Sequence, residues 1–191
     1  SHAGRSPSVF VNAATWGLLL TGKLVATHSE TGLSTVLTRL IGKGGFGEVY
    51  LATPSGAGSP DRVCVKISDR LSGWLREAYF AELLAREPRA LRVYDRFVES
   101  VNGEMRYCLA MEYARHGDLR AFLHRTGKRW PEPAARREIA GILEVLRKLH
   151  RGQMLHRDLT PMNVFVCDDR TLKLGDFGIV RHQGDRRGVR T

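Results

Sequence analysis

Near the end of the sequence, an acidic residue and an amide stand five positions apart. Residues 156–166 read HRDLTPMNVFV, so Asp158 and Asn163 lie among apolar residues. A carboxylate at such a position can accept or orient the proton of an attacking hydroxyl group. An amide oxygen is a hard ligand that suits Mg²⁺. The two residues predict a polar reaction site if other segments bring the remaining groups to it.

A glycine-rich segment is the second candidate. Residues 42–47 read GKGGFG, and glycines let backbone N–H groups approach phosphates that side chains would block. A dinucleotide-binding fold places such a turn between a strand and a helix. Here the residues before and after the turn both have strand-like composition. The segment therefore predicts a hairpin that covers a nucleotide, and a plain flexible hairpin is the alternative.

Two further segments carry groups that could act with these. Residues 62–67 read RVCVKI, an alternation that predicts a strand with one buried face, and they contain Lys66. The triplet Asp176-Phe177-Gly178 follows the apolar segment 172–174, and its aspartate offers a carboxylate ligand. Such a triplet alone is also common in ordinary turns, so its meaning depends on the segments that precede it.

The first half of the chain is predicted to supply a sheet for these groups. Apolar residues recur at helical spacing only over residues 73–87, and Pro88 ends that helix. The remaining strand-like segments are 16–26, 33–41, 48–52, 62–67, 91–99 and 107–112.

The second half is predicted to be helical. Asp118 can cap a short helix that runs through His124. Pro131 then opens a long helix that Gly152 ends. One apolar stripe is predicted along this long helix, made of Ile139, Leu143, Leu146 and Leu149.

The composition of the chain limits which partners and which cellular location it can have. The chain has 191 residues and a net charge of +10, and its arginines are spread along the sequence. That spread favours a solvated surface over nucleic-acid binding, so no nucleic-acid partner is predicted. Cys64, Cys108 and Cys167 lie far apart, which argues against a zinc site or a disulfide scaffold and favours a reducing, cytoplasmic setting. No apolar run approaches the roughly 18–20 residues of a membrane span.

Taken in order, the motifs resemble the signature set of the eukaryotic-type protein kinases, of the serine/threonine type. The resemblance covers roughly residues 36–181 and rests on Gly42-x-Gly44-x-x-Gly47-x-Val49, Val63-Cys64-Val65-Lys66, His156-Arg157-Asp158-Leu159 with Asn163, and Asp176-Phe177-Gly178. It implies an α+β, two-lobed fold. The predicted division is an N-terminal extension (1–32), a strand-rich N-lobe with one helix (33–112) and a partial helical C-lobe (113–191).

The resemblance implies a role for each charged residue. Lys66 would hold the α- and β-phosphates of ATP, and Asp158 would be the catalytic base. Asn163 and Asp176 would bind Mg²⁺. An ammonium group buried beside phosphates needs an anionic partner to stay in place. The candidates on the predicted helix are Glu77 and Glu82, and Glu77 fits the family's helix pattern better.

The resemblance also implies an adenine slot. Val49 and Cys64 would form its roof and Phe165 its floor. Residues 111–114 would form the hinge, with Met111 as the gatekeeper and backbone groups of Glu112 and Ala114 at the adenine edge. Asp118 could meet the ribose hydroxyls, a role compatible with its capping of a helix. The predicted nucleotide-binding residues are Ile41, Gly42, Lys43, Gly44, Gly45, Phe46, Gly47, Val49, Cys64, Lys66, Met111, Glu112, Ala114, Asp118 and Phe165.

The sequence departs from the family pattern in two places. Thr160 stands where serine/threonine kinases usually carry a lysine, which predicts slower transfer. The chain ends at Thr191, without the A-P-E anchor and the substrate-platform helices of the family. Apolar surface on the long helix is therefore expected to be exposed, which predicts a partner chain, a homodimer or an unstable fold. Thr191 is also a candidate phosphorylation site that Arg157 could bind.

The predicted function is that of an ATP- and Mg²⁺-dependent protein kinase. It would transfer the γ-phosphoryl group to Ser or Thr hydroxyls of protein substrates, itself included. Pro161 is typical of the serine/threonine type rather than the tyrosine type. One alternative is a pseudokinase, a nucleotide-binding regulatory module that lacks the substrate platform. The other is a small-molecule phosphotransferase of the same superfamily.

Overall fold

The fold is α+β, with a strand-rich lobe that contains one helix and a second lobe that is mostly helical. The computed structural model describes residues 14–15, 17–18, 24–27, 34–45, 47–55, 58–101, 103–127 and 129–183. Its helices are α1 (Leu71–Leu83), α2 (Leu119–Thr126) and α3 (Glu132–Arg151). Its strands are β1 (Ala14–Thr15), β2 (Gly17–Leu18), β3 (Leu24–Thr27), β4 (Ser34–Gly44), β5 (Gly47–Ser55), β6 (Val63–Ser68), β7 (Val93–Val101), β8 (Glu104–Glu112), β9 (Met154–Leu155), β10 (Val164–Val166), β11 (Leu172–Leu174) and β12 (Arg181–His182).

The first lobe is one sheet in the order β1-β7-β8-β6-β5-β4-β3-β2. Every neighbouring pair is antiparallel except β1 and β7, which are parallel. The strands predicted from residue 33 onward are present, with ends that differ by up to three residues. The predicted segment 16–26 contains β2 and overlaps β3, which ends one residue later. The pairing places Val49 opposite Lys66 and Cys64 opposite Met111.

The two faces of this sheet are buried differently. On one face Val63, Val65 and Phe97 pack with neighbouring apolar residues of β4, β5 and β8. On the other face α1 contributes Trp74 and Ala78 to a second apolar cluster. Successive residues of β8 divide between the two clusters, Cys108 and Ala110 in the first and Leu109 in the second, as expected for a strand with a side-chain period of two.

Helix α1 follows β6 after only two residues. The indole Nε1 of Trp74 donates to the Cys108 carbonyl at 2.9 Å, which fixes the helix against β8. The helix ends four residues before the predicted end at residue 87, because the chain turns at Leu84 and buries that side chain in the core. Because only two residues link β6 to α1, the middle of α1 lies close to the end of the strand.

The second lobe is built around α3. The carboxylate of Asp118 accepts from the Ala121 N–H at 2.8 Å and so caps α2 as predicted. Helix α3 starts beside Pro131 and ends at Gly152, also as predicted. Within the described residues, no helix carries an apolar stretch long enough to cross a membrane.

The predicted apolar stripe of α3 is only half correct. Leu146 and Leu149 are buried, but Ile139 and Leu143 are 56% and 55% exposed. The buried face is instead made of Glu138, Ile142, Val145, Leu146 and Leu149. Because a carboxylate occupies one buried position, apolar spacing alone misplaces the start of this face.

Candidate active site

Lys66 lies between two carboxylates. Its Nζ is 2.5 Å from Glu77 Oε1 and 3.6 Å from Asp176 Oδ1. Lys66 comes from β6, Glu77 from the inner face of α1, and Asp176 from the segment after β11. The three side chains are largely buried, so their charges act with little screening by water.

The burial of Glu77 has an electrostatic consequence. Burial raises the pKa of this carboxyl, the Lys66 ammonium lowers it, and the nearby Asp176 carboxylate raises it again, with a net upward shift. The lysine is therefore the neighbouring group that favours the charged form of Glu77. The other candidate, Glu82, is 67% exposed and pairs with Arg96 at 3.3 Å, away from Lys66.

Asp158 and Asn163 are joined directly. The Asn163 amide nitrogen donates to Asp158 Oδ2 at 2.7 Å and to the Asp158 carbonyl at 2.9 Å. The Asn163 N–H donates to the Thr160 carbonyl at 3.0 Å, which closes the turn between them. Because the amide nitrogen faces Asp158, the amide oxygen is the atom that remains to face a ligand.

The Asp158 loop is tied to the strand that precedes Asp176. The Gly175 N–H donates to the Asn163 carbonyl at 2.9 Å. His156 is buried, and its Nε2 lies 3.2 Å from the Gly175 carbonyl. Burial lowers the pKa of His156. Because a carbonyl oxygen can only accept, this hydrogen bond requires a proton on Nε2. The motif analysis missed this role because Gly175 is nineteen residues away in sequence.

The backbone around Asp176 is held in an uncommon conformation. Asp176 has a φ of 55°, in the left-handed region that non-glycine residues seldom adopt. Phe177 is buried in the core beside His156, with 5.3 Å between ring centroids. Arg76 Nη1 donates to the Gly178 carbonyl at 2.7 Å, and a Cβ on Gly178 would lie 2.8 Å from Glu77 Oε1. Gly178 therefore leaves room for the Glu77 carboxylate, which an added Cβ would push aside.

The glycine segment forms a hairpin between β4 and β5. Gly44 pairs with Gly47 at its end, and Lys43 and Glu48 form an ion pair of 2.8 Å across it. Gly47 has a φ of 117°, and a Cβ there would lie 2.1 Å from the Ile67 carbonyl oxygen. A Cβ on Gly44 or Gly45 would meet nothing within 4 Å. Phe46, which belongs to the predicted set, lies outside the described residues.

The other predicted nucleotide contacts are spread over strands β4, β5, β6, β8 and β10 and the segment after β8. Gly42 pairs with Val49, next to Lys66 on β6, and the neighbouring Ile41 is exposed. Met111 and Phe165 pack against one small apolar cluster that contains Ala114. The Cys64 thiol is buried, which raises its pKa to about 12 and suits a packing role.

The segment predicted as a hinge is tied to β11. The Glu112 carboxylate accepts from Lys173 Nζ at 2.6 and 2.8 Å. The Glu112 N–H donates to the Arg92 carbonyl at 2.7 Å, so any backbone contact with adenine would fall to its carbonyl oxygen. Asp118 Oδ1 is engaged in capping α2, which leaves its second oxygen for the predicted ribose contact.

The candidate metal ligands can be compared with the needs of Mg²⁺. Among the described residues, no group of three or more His, Cys, Asp or Glu side chains is arranged to hold a metal. Mg²⁺ is commonly bound through one or two protein oxygens together with substrate phosphates and water. Asp176 and the amide oxygen of Asn163 fit that pattern. Thr191, the predicted phosphorylation site, lies outside the described residues.

Comparison with known proteins gives a match over most of the chain. A family model of the protein kinase domain matches residues 35–190. Serine/threonine-protein kinase SBK2 of Mus musculus is 35% identical over 151 residues, which are 76% of this chain and 40% of SBK2. CBL-interacting protein kinase 4 of Oryza sativa subsp. japonica is 35% identical over 153 residues, 75% of this chain and 32% of that protein. The chain thus spans two fifths or less of these relatives.

A second similarity concerns the N-terminal part. A family model of the DNA-binding domain of proline dehydrogenase matches residues 1–56. Bifunctional protein PutA of Klebsiella aerogenes is 76% identical over 45 residues, which are 24% of this chain and 3% of PutA. The two family matches overlap at residues 35–56. In this overlap the chain forms β4, the glycine hairpin and β5.

Proposed function

Because this chain belongs to the protein kinase family, we propose that it transfers the γ-phosphoryl group of ATP to Ser and Thr hydroxyls of proteins. Mg²⁺ is the proposed cofactor. The observation that carries the proposal is Lys66 between Glu77 and Asp176. A fixed ammonium group between two carboxylates suits a triphosphate with its metal ion better than a neutral ligand.

Each group has a defined task in this proposal. Asp158 orients the attacking hydroxyl and accepts its proton, and the amide of Asn163 holds the Asp158 carboxylate in place. Lys66 binds phosphate oxygens, and Glu77 keeps the lysine ammonium in position. Asp176 and Asn163 are the proposed Mg²⁺ ligands, and the ion, when bound, neutralises phosphate charge. Phosphoryl transfer depends mainly on such positioning and charge stabilisation.

The glycine hairpin is proposed to cover the phosphates. Its glycines at positions 44 and 45 have open space on the side where a Cβ would stand, which suits a close approach of backbone to ligand. The adenine ring is proposed to lie between the Val49–Cys64 side of the sheet and Phe165. The division into an extension (1–32), an N-lobe (33–112) and a C-lobe (113–191) remains part of this proposal.

The partners are proposed on chemical grounds. The exposed Ile139 and Leu143 on α3 suit burial against another protein surface, either a partner chain or a second copy of this one. The three cysteines are unpaired and buried, which supports a reducing, cytoplasmic location. We propose no nucleic-acid partner, since the arginines are spread along the chain.

A pseudokinase is the second candidate function. The same exposed α3 surface favours it, because a nucleotide-binding regulator would act through a protein contact. An assay with γ-labelled ATP, Mg²⁺ and a generic basic protein substrate distinguishes a protein kinase, which transfers the phosphoryl group, from a pseudokinase, which only binds nucleotide. The proposal predicts label on Ser and Thr of the substrate or of the chain itself. Label confined to Tyr would contradict the serine/threonine assignment, and ATP binding without any transfer would establish the pseudokinase.

A further inference from the structure

Three elements meet at Arg89, in the loop between α1 and β7. The Arg89 guanidinium forms an ion pair with Glu138 of α3. Its Nη1 also lies 3.3 Å from the Leu172 carbonyl, at the start of β11. The Glu138 side chain is 5% exposed. A carboxylate this deeply buried remains charged only with a cation and hydrogen-bond donors beside it, and Arg89 is the cation on its buried side.

The same two residues hold both ends of β11. Glu138 Oε2 accepts from the Leu172 N–H at 3.0 Å. At the other end, the Leu174 N–H donates to the Arg89 carbonyl at 2.7 Å, and the Leu91 N–H donates to the Leu174 carbonyl at 2.8 Å. Strand β11 is therefore fixed at one end by the ion pair and at the other by the backbone of the Arg89 loop.

Gly141 leaves space for the Arg89 side chain. This residue lies in the middle of α3, where glycine is a poorer helix former than alanine. A Cβ at this position would lie 2.7 Å from Arg89 Nε and 3.0 Å from Arg89 Cζ. The glycine therefore lets the guanidinium lie across the helix and reach Glu138. An alanine would force the arginine to move, although it would favour the helix itself.

Only one residue separates β11 from Asp176. That residue, Gly175, donates its N–H to the Asn163 carbonyl, so the strand also touches the Asp158 loop. A strand held at both ends fixes where Asp176 leaves it. We infer that the Arg89–Glu138 ion pair, lying over Gly141, is a positioning device that sets Asp176 in the proposed metal site. This inference rests on the proposed function, because it assigns Asp176 a ligand role.

Amide hydrogen exchange, in the absence of nucleotide and metal, tests the device directly. Arg89→Met and Glu138→Gln each remove the ion pair while keeping similar side-chain size. Arg137→Met is the matched control, because Arg137 pairs with the other oxygen of Glu138 at 3.0 Å but is 71% exposed. Exchange at residues 172–178 is expected to quicken about tenfold or more in the first two variants and to stay unchanged in the control. Unchanged exchange in all three would overturn the inference.

Metal dependence separates positioning from a general loss of folding. In Arg89→Met and Glu138→Gln, the Mg²⁺ concentration for half-maximal transfer is expected to rise about 10-fold or more, as when a metal ligand loses its support. A merely structural role would lower the maximal rate and leave that concentration unchanged, and this result would contradict the inference. A wild-type chain without transfer would refute the proposed function, whereas the exchange result would still decide whether the strand is held.

Gly141→Ala supplies a test that does not remove a charge. Alone, it is expected to lower the midpoint of unfolding and to quicken exchange at residues 172–178. In an Arg89→Ala background it should raise the midpoint, since the arginine atoms that the added Cβ would meet are then absent and only helix propensity counts. Gly73→Ala in α1 is the matched control, because the added Cβ would meet nothing within 4 Å. Its effect on the midpoint of unfolding should be the same in both backgrounds. Equal stabilisation by Gly141→Ala in both backgrounds would refute the device.

Discussion

Lys66 Nζ and Glu77 Oε1 lie 2.5 Å apart, although their residues belong to different elements. The contact exists because only two residues separate β6 from α1, which places the inner face of the helix over the end of the strand. Asp176 approaches the same ammonium from the second lobe. One lysine thus joins the sheet, the helix and the segment after β11 in a single charged cluster.

Removal of either partner of this ion pair should reduce transfer. Lys66→Met is expected to lower the transfer rate about 10²–10³-fold, because a charged donor aimed at the phosphates is lost. Glu77→Gln should also lower it, since the lysine then lacks its buried carboxylate. Glu82→Gln is the matched control on the exposed side of the same helix and should retain the wild-type rate. Transfer from labelled ATP measures all three; equal losses in both glutamate variants would contradict the assignment of Glu77.

Gly47 should resist substitution much more than Gly44. An added Cβ at Gly47 would clash with the Ile67 carbonyl, and its φ of 117° is unfavourable for other residues. Gly47→Ala is therefore expected to lower the free energy of unfolding by about 1–3 kcal/mol. Gly44→Ala should change it by less than about 0.5 kcal/mol. Urea denaturation compares the two; a similar effect of both would show that the hairpin has another conformation in solution.

Glu99 should make stability depend on pH. This carboxyl is buried, and among the described residues neither oxygen has a hydrogen-bond partner. Burial raises its pKa from 4.5 to about 7. A raised pKa means that the folded state holds the proton more tightly, so the free energy of unfolding falls as pH rises from about 4.5 to about 7. Each pKa unit corresponds to about 1.4 kcal/mol.

Glu99→Gln should remove this dependence. The variant is expected to be more stable than wild type at pH 8, and the difference should shrink as the pH is lowered toward 5. Urea unfolding at pH 5, 6, 7 and 8 measures it. Glu104→Gln, on an exposed carboxylate of β8, is the control and should show no such trend. If the free energy of unfolding of Glu99→Gln differs from that of wild type by the same amount at every pH, titration of Glu99 in this range is ruled out.

Thr160 is expected to limit the rate. The side chain is half-buried within the loop that joins Asp158 to Asn163, and it brings no charge to the site. Thr160→Lys should raise the transfer rate roughly tenfold, because the added ammonium can stabilise charge on the transferred group. The comparison needs only initial rates at saturating ATP and Mg²⁺. Equal rates for the two chains would contradict this prediction.

Much of the fold was predictable because its signals are local. The glycine and proline positions marked the turns, and alternation marked β6. The choice between Glu77 and Glu82 also followed from local spacing on one helix, and the structure has Glu77 against Lys66. The motif residues could be identified in the sequence because the resemblance fixes their order along the chain. The distances between their side chains are known only from the folded structure.

The parts that could not be predicted depend on distant partners. Glu138 is buried because Arg89, forty-nine residues earlier, pairs with it, and no apolar pattern reports such a residue. The exposure of Ile139 and Leu143 follows from the same shift of the buried face. His156 was visible in the motif, but its bond to Gly175 depends on how β11 lies beside the loop. Packing between segments, and not local propensity, decides these positions.

The central claim is that Asp158 acts as the base in transfer of phosphate from ATP to protein hydroxyls. The most direct measurement is the rate of label transfer from γ-labelled ATP to a basic protein substrate by the wild-type chain and by Asp158→Asn. Nucleotide binding should be retained in the variant, while the rate is predicted to fall about 10²–10⁴-fold. Transfer by Asp158→Asn at the wild-type rate would contradict the account.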